Sequence, residues 1–126
     1  PQNRLGAEFS KYHFGILPFF LEDTGRGPDK LGGGSSQKLF NYIEAGIPVI
    51  ISEDLRFQTW MARRYGAALS ISKSDLPDLR RLIDDLDYTA LKRKLYRTRS
   101  CISLGHNITR LLAFYDEIQP EHSKTD

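Results

Sequence analysis

One cysteine, one tryptophan and one methionine in 126 residues leave several classes of protein without their materials. Cys101 has no second thiol to pair with, which excludes an internal disulfide and any multi-cysteine metal site, and the expected compartment is reducing and cytoplasmic. His13, His106 and His122 are scattered without ligand spacing, so no metal is expected. No apolar run approaches the ~20 residues that span a bilayer. Eighteen basic against sixteen acidic residues leave a net charge of +2, far from the concentrated basic footprint of a nucleic-acid binder, and no nucleic-acid partner is expected. With 40% apolar and 27% charged residues the chain is neither disordered nor membrane-embedded by composition, and its length suits one small domain. A start at Pro1, with no initiator Met and no basic-then-apolar leader, reads as a piece of a longer protein.

What is present is a succession of apolar runs separated by glycines. Leu5, Phe9 and Tyr12 fall at helical spacing over Asn3 to Tyr12, ahead of the run His13 to Phe20, which reads as a buried strand ending near Pro18. Its near-continuous hydrophobicity predicts a parallel strand covered on both faces. Glu22 to Gly34 reads as a mobile loop rich in Gly, Asp, Lys, Arg and Pro. Ser35 or Ser36 is placed to cap a helix over Gln37 to Ala45 with Leu39, Phe40 and Ile43 on its apolar face, and Gly46 to stop it. Ile47 to Ser52 gives a second buried strand, Leu55 to Tyr65 a helix ended by Gly66, and Ala67 to Ile71 a short third strand. Strand, helix, strand, helix, strand predicts an α/β fold with a parallel sheet and right-handed crossovers. Beyond Ser74, expected to cap a helix with Pro77 in its first turn, the pattern is helical around Leu76 to Leu86, Tyr88 to Ile102 and Asn107 to Ile118. Gln119 to Asp126 has little to bury and is expected to fray.

The segment richest in chemistry is Gly32 to Ser52. Glycines let backbone N–H groups approach an anion without Cβ obstruction, and the unsatisfied donors of the following helix add positive potential, so phosphate is the natural guest. A bare flexible linker is the competing reading. Neither a complete P-loop nor a GxGxxG fingerprint occurs.

Ser36-Gln37-Lys38-Leu39-Phe40-Asn41-Tyr42-Ile43-Glu44-Ala45-Gly46-Ile47-Pro48-Val49-Ile50 resembles the segment of GT-B glycosyltransferases that reads Lys-Leu-Phe-Glu-Tyr, two or three small or apolar residues, Gly-x-Pro-Val. Tyr12 to Phe19 is similar to the family strand that enters the donor site, Trp60 to Ile71 to its helix, glycine and short strand, and the stretch with Leu111, Leu112, Phe114 and Tyr115 to its terminal helix. The likeness runs over most of the chain, with its specific part at Lys38 to Val49. It implies a Rossmann-like parallel sheet flanked by helices, residues 1–118 forming part of the C-terminal domain of a GT-B fold with a helical extension, and residues 119–126 a tail. It further implies transfer of a glycosyl group from a nucleoside diphosphate sugar to an acceptor held by an N-terminal domain outside this sequence. The donor is a substrate, and no cofactor is implied.

By the same resemblance the donor nucleotide would meet Gly33, Gly34, Ser35, Ser36, Lys38 and Asn41, the serines and nearby N–H groups at the diphosphate and Asn41 at the ribose. Asn41 stands where the family carries a glutamate; an amide oxygen accepts the same hydrogen bonds, without a full negative charge. Gly33 stands eight positions earlier, where retaining members often carry an acid. No catalytic residue is assigned, and the fragment alone is expected to be inactive. Asp23, Arg26, Asp29 and Lys30 are substitutes available in the loop. For Lys38, a phosphate contact and a water-facing side chain both stay open. Lys92, Arg93, Lys94, Arg97 and Arg99 read either as a solvated helix face or as a peripheral contact with anionic lipid. Trp60, Met61 and Tyr65 read as core and helix-packing residues, and Cys101 has no paired histidine to make it a nucleophile. Two other functions compete: a non-catalytic nucleotide-binding or regulatory domain, favoured by Gly33 and Asn41, and an interaction module using the basic helical region.

Overall fold

The computed structural model describes residues 4–24, 34 and 36–118. Its centre is a three-stranded parallel sheet in the order β1 (Gly15–Leu17), β2 (Val49–Ser52), β3 (Ala68–Ile71). Gly15 pairs with Val49, and Val49 with Ala68, so the strands run in register from one edge of the sheet to the other. Around it lie α1 (Leu5–Phe9), α2 (Leu21–Thr24), α3 (Gln37–Glu44), α4 (Arg56–Arg64), α5 (Leu79–Asp84), α6 (Tyr88–Thr98) and α7 (Leu104–Ile118), with 3₁₀ segments at Lys73–Asp78 and Arg99–Ile102. The predicted α/β parallel sheet flanked by helices is therefore present.

Two apolar layers sandwich the sheet. Because successive strand residues point to opposite faces, Val49 and Ile51 join Leu17, Leu39 and Ile43 of α3, Ala62 of α4 and Leu95 of α6 on one side. Ile50 and Ile71 meet Phe20 on the other, with Phe14, Leu69 and the α5 residues Leu79, Leu82 and Ile83 packed against them. All four residues of β2 are buried, as the apolar run Ile47 to Ile51 predicts for a strand covered twice.

Both predicted helix stops hold. Gly46 (φ 75°) ends α3 and Gly66 (φ 67°) ends the α4 turn, in the left-handed conformation that only glycine enters without strain. Elsewhere expectation and structure part. The predicted strand His13 to Phe20 contracts to three residues, and Ile16 is 55% exposed, since β1 lies at the sheet edge and α5 covers β2 and β3 only. The start of the predicted loop, Glu22 to Thr24, belongs to helix α2, and residues 25–33 of that loop lie outside the described residues. The cap after β3 is Ser72, in a reciprocal capping box with Asp75, rather than Ser74, and Pro77 sits within the 3₁₀ segment before α5. Trp60, expected in the core, is 54% exposed: α4 turns Ala62, Thr59 and Gln58 inward, and the small Ala62 lets the helix lie close to the sheet. Met61 does pack against the core, and Tyr65 is half-buried. On α7, Leu111, Leu112, Phe114, Tyr115 and Ile118 stand exposed. The predicted tail, 119–126, lies outside the described residues.

Tyr42 of α3 lies flat against Gly15 of β1: a Cβ at Gly15 would come within 2.4 Å of the ring, whose other neighbour is Phe9 at 5.1 Å between centroids. Gly15→Ala is therefore expected to destabilise the fold by about 1–3 kcal/mol, the usual range for forcing an extra carbon into a packed contact. Gly105→Ala, at an open helical position, should be neutral or stabilising by up to ~1 kcal/mol. Urea denaturation of the two variants checks the contrast, and equal midpoints would contradict it.

Candidate functional site

In an open parallel sheet the loops that can hold a ligand gather where the strands end. Here that rim comprises Pro18 to Phe20 and α2 after β1, Glu53 and Asp54 after β2, and Ser72 with the 3₁₀ segment after β3. Helix α3 connects two parallel strands, so it runs back against them and begins at the same rim.

The rim is tied together by short polar contacts. The Ser52 carbonyl accepts from Thr59 Oγ1 at 3.0 Å, fixing the end of β2 to α4, while Ser52 Oγ accepts from the Asp54 N–H at 3.2 Å. Asp54 Oδ2 in turn accepts from the Leu21 N–H at 2.9 Å and so holds the start of α2. Lys73 Nζ reaches back to α2, pairing with Asp23 Oδ1 at 2.6 Å and Glu22 Oε2 at 3.4 Å. The hydrogen bond to Asp23, followed by that to Glu22, holds the Lys73 ammonium above its ordinary pKa of 10.5. That contribution is complete below 10.5 and fades as pH rises through the higher folded-state value. Asp23, a loop residue available for a ligand in the sequence, is thus already engaged; Arg26, Asp29 and Lys30 lie outside the described residues.

Ser36 is the N-cap of α3: its Oγ accepts from the Lys38 N–H at 3.2 Å and its carbonyl from the Leu39 N–H at 3.1 Å. Gly34 is exposed, and Gly33 and Ser35 lie outside the described residues. Lys38 is exposed and Asn41 half-buried; three residues apart, they share the face of α3 opposite Leu39 and Ile43. Ser36, Lys38 and Asn41 are therefore on one short helix at the rim. The side chain of Ser36 is spent on its own helix, and with the Lys38 and Leu39 N–H groups both donating to Ser36, the first-turn N–H that Ser36 does not engage is that of Gln37.

The basic run on α6 divides. Arg99 donates from Nη1 to the Glu44 carbonyl at 3.4 Å and lies 4.4 Å over the Tyr96 ring, docking the end of α6 beside α3. Lys92 lies over Tyr88 and Tyr96, whereas Arg93, Lys94 and Arg97 are exposed. Cys101 is exposed in the second 3₁₀ segment. Among the described residues no group of His, Cys, Asp and Glu could hold a metal, and no helix is long and apolar enough to cross a membrane.

An open cleft lies along α4, away from the residues that the sequence singles out for the donor nucleotide. Glu53, Arg56, Thr59, Trp60, Arg63 and Arg64 line a cleft of about 600 Å³ along α4. The signal available was a helix carrying three arginines and no acid, Arg56-Phe57-Gln58-Thr59-Trp60-Met61-Ala62-Arg63-Arg64, masked by the assignment of Trp60 to the core.

The fold and rim define an α/β domain built on a small parallel sheet. Compared with protein-family models, with curated proteins and with solved structures, the chain matches none.

The capping box yields a pH test. Asp75 accepts from both the Ser72 N–H and the Ser72 hydroxyl at 2.7 Å, and these bonds, the backbone one first, hold its carboxyl below the ordinary 3.8. Its stabilisation is complete above 3.8 and is lost as pH falls through the lower folded-state value. Carboxyl NMR titration should show Asp75 titrating below 3.8, and Ser72→Ala should move it upward; an unchanged midpoint in the variant would refute the assignment.

Proposed function

We propose that this chain is the donor-binding portion of a GT-B glycosyltransferase, acting on a nucleoside diphosphate sugar and an acceptor held by an N-terminal domain of the same protein. The supporting observation is that Lys38 to Val49, the block carrying the resemblance, folds as a Ser-capped helix, a left-handed Gly46 turn and a central parallel strand, with the helix starting at the rim where the strands end. In this reading the N–H groups at the start of α3, with Gly33, Gly34, Ser35 and Ser36, surround the diphosphate. They stabilise the charge that grows on it as the sugar departs. Lys38 adds a positive charge nearby, and Asn41 accepts from the ribose hydroxyls. The catalytic base comes from the acceptor domain. Exposed apolar surface at Ile16 and along α7 is consistent with a further unit packed on this one. A cytoplasmic, membrane-peripheral setting, with the exposed α6 residues Arg93, Lys94 and Arg97 toward anionic lipid, belongs to the same proposal.

A second reading, a nucleotide-binding or regulatory domain without transfer, is favoured by Gly33 and Asn41 standing at positions where the family carries acids. Both readings keep the nucleotide site and differ in turnover. The chain alone is expected to transfer no sugar, because a two-domain cleft is needed to align donor with acceptor and exclude water; turnover by the purified chain would overturn that expectation.

Asn41 gives the sharper test. Asn41→Ala removes an acceptor and should weaken nucleoside diphosphate binding by about 1 kcal/mol, and Asn41→Glu should strengthen it, since a charged acceptor bonds hydroxyls more strongly. The 2′,3′-dideoxy nucleotide lacks the donating hydroxyls, and its affinity, measured by calorimetry, should scarcely respond to Asn41→Ala. Equal losses for both nucleotides would mean a disturbed helix and no ribose contact.

A further inference from the structure

The solvent side of α4 has a composition unlike the rest of the surface. At 100° per residue, Arg56, Phe57, Trp60, Arg63 and Arg64 fall on one outer arc, while Gln58, Thr59 and Ala62 are buried. Among the described residues no carboxylate lies within ion-pair distance of any of these arginines; the ion pairs formed are on Lys11, Lys73, Arg80 and Arg81. Three guanidinium groups lining one cleft without an ion-paired carboxylate give it a positive potential that favours an anion.

Local contacts fix the groups that would meet such an anion. Arg63 donates from Nε to Ser70 Oγ of β3 at 2.9 Å, which orients its fork and leaves both Nη groups free to point outward. Arg64 lies 5.7 Å from the centre of the Trp60 ring, and Phe57 backs the same indole at 6.0 Å. Glu53 sits at the rim end of the cleft and reduces the lining charge from three positive to two, which matches a ligand carrying at least two negative charges. Arg56 and Arg63 are seven residues apart, about 10 Å along the helix axis. Two linked phosphates span that distance better than one. The cleft is open to solvent, and its volume of about 600 Å³ lies within the range of small-molecule sites.

We propose that the α4 cleft, walled by Arg56, Arg63, Arg64 and Trp60, binds a small ligand through a diphosphate group, at a site separate from the start of α3. Arg56 and Arg63 hold the phosphates, and Trp60 forms the apolar wall. Glu53 accepts from hydroxyls the ligand carries beside them and discourages a more highly charged polyanion.

Trp60 is the sole tryptophan, so its emission reports on this cleft alone. Pyrophosphate and inorganic phosphate are titrated into the protein at ionic strength held constant with KCl. The expected result is a saturable change in Trp60 emission, tighter for pyrophosphate. Its midpoint should rise roughly tenfold or more in Arg56→Gln and in Arg63→Gln, the scale of losing a charge-assisted hydrogen bond. Arg93→Gln on α6 and Lys38→Gln on α3 should leave it unchanged, so failure here and failure of the α3 nucleotide site are told apart. Amide resonances of 53–64 in the unaltered protein, which need no variant, should shift with the same midpoint. A response equal to that of KCl, or full affinity in both arginine variants, would overturn the proposal. So would a response to phosphatidylserine vesicles but not to pyrophosphate, which would assign the face to a bilayer.

Discussion

Burial of β2 on both faces is the constraint on which the other elements depend. Val49 and Ile51 can leave water only if α3, α4 and α6 cover one side, and Ile50 only if Phe20 and α5 cover the other. Each such side chain contributes about 1.5–3 kcal/mol on burial, an upper value because the unfolded chain already hides some apolar surface. The same strand sets the position of the rim. Its last carbonyl is held by Thr59, and the turn that follows is held by Asp54, which also anchors α2. A ligand site at this rim inherits its geometry from a strand with no exposed residue.

Charge is distributed unevenly around that frame. After β1 and β3 the acids Glu22 and Asp23 are matched by Lys73. At the start of α3 the polar groups are neutral or basic, with Lys38 the only charged side chain in the first turn. Along α4 three arginines form no ion pair among the described residues, with Glu53 the acid in their cleft. The two proposed anion sites thus differ in kind, α3 relying on backbone donors and α4 on side chains. These two mechanisms respond differently to substitution: backbone donors survive side-chain changes, while guanidinium contacts do not.

The sequence made the parts governed by short-range rules legible. Gly46 and Gly66 mark helix ends because their conformation is local, and the run Ile47 to Ile51 marks a central strand because all its residues are apolar. What it hid depended on the neighbours. Ile16 reads as buried until the sheet is seen to end at β1. Trp60 reads as core because it is large and apolar, yet helix phase is set by Leu55 and Ala62, which are small enough or placed well enough to meet the sheet. Ser72 and Ser74 are equivalent caps by composition, and only the reach of Asp75 selects the first. At the candidate donor site, the grouping of Ser36, Lys38 and Asn41 on one helix followed from the spacing, whereas the self-capping of the Ser36 side chain did not.

Whether a nucleoside diphosphate settles at the start of α3 can be read from backbone amide resonances mapped during titration with UDP and GDP. The amides of residues 34–38 should shift first and saturably, followed by Asn41. Perturbation confined to Lys92 to Arg99 at millimolar nucleotide, with 34–41 silent, would contradict it.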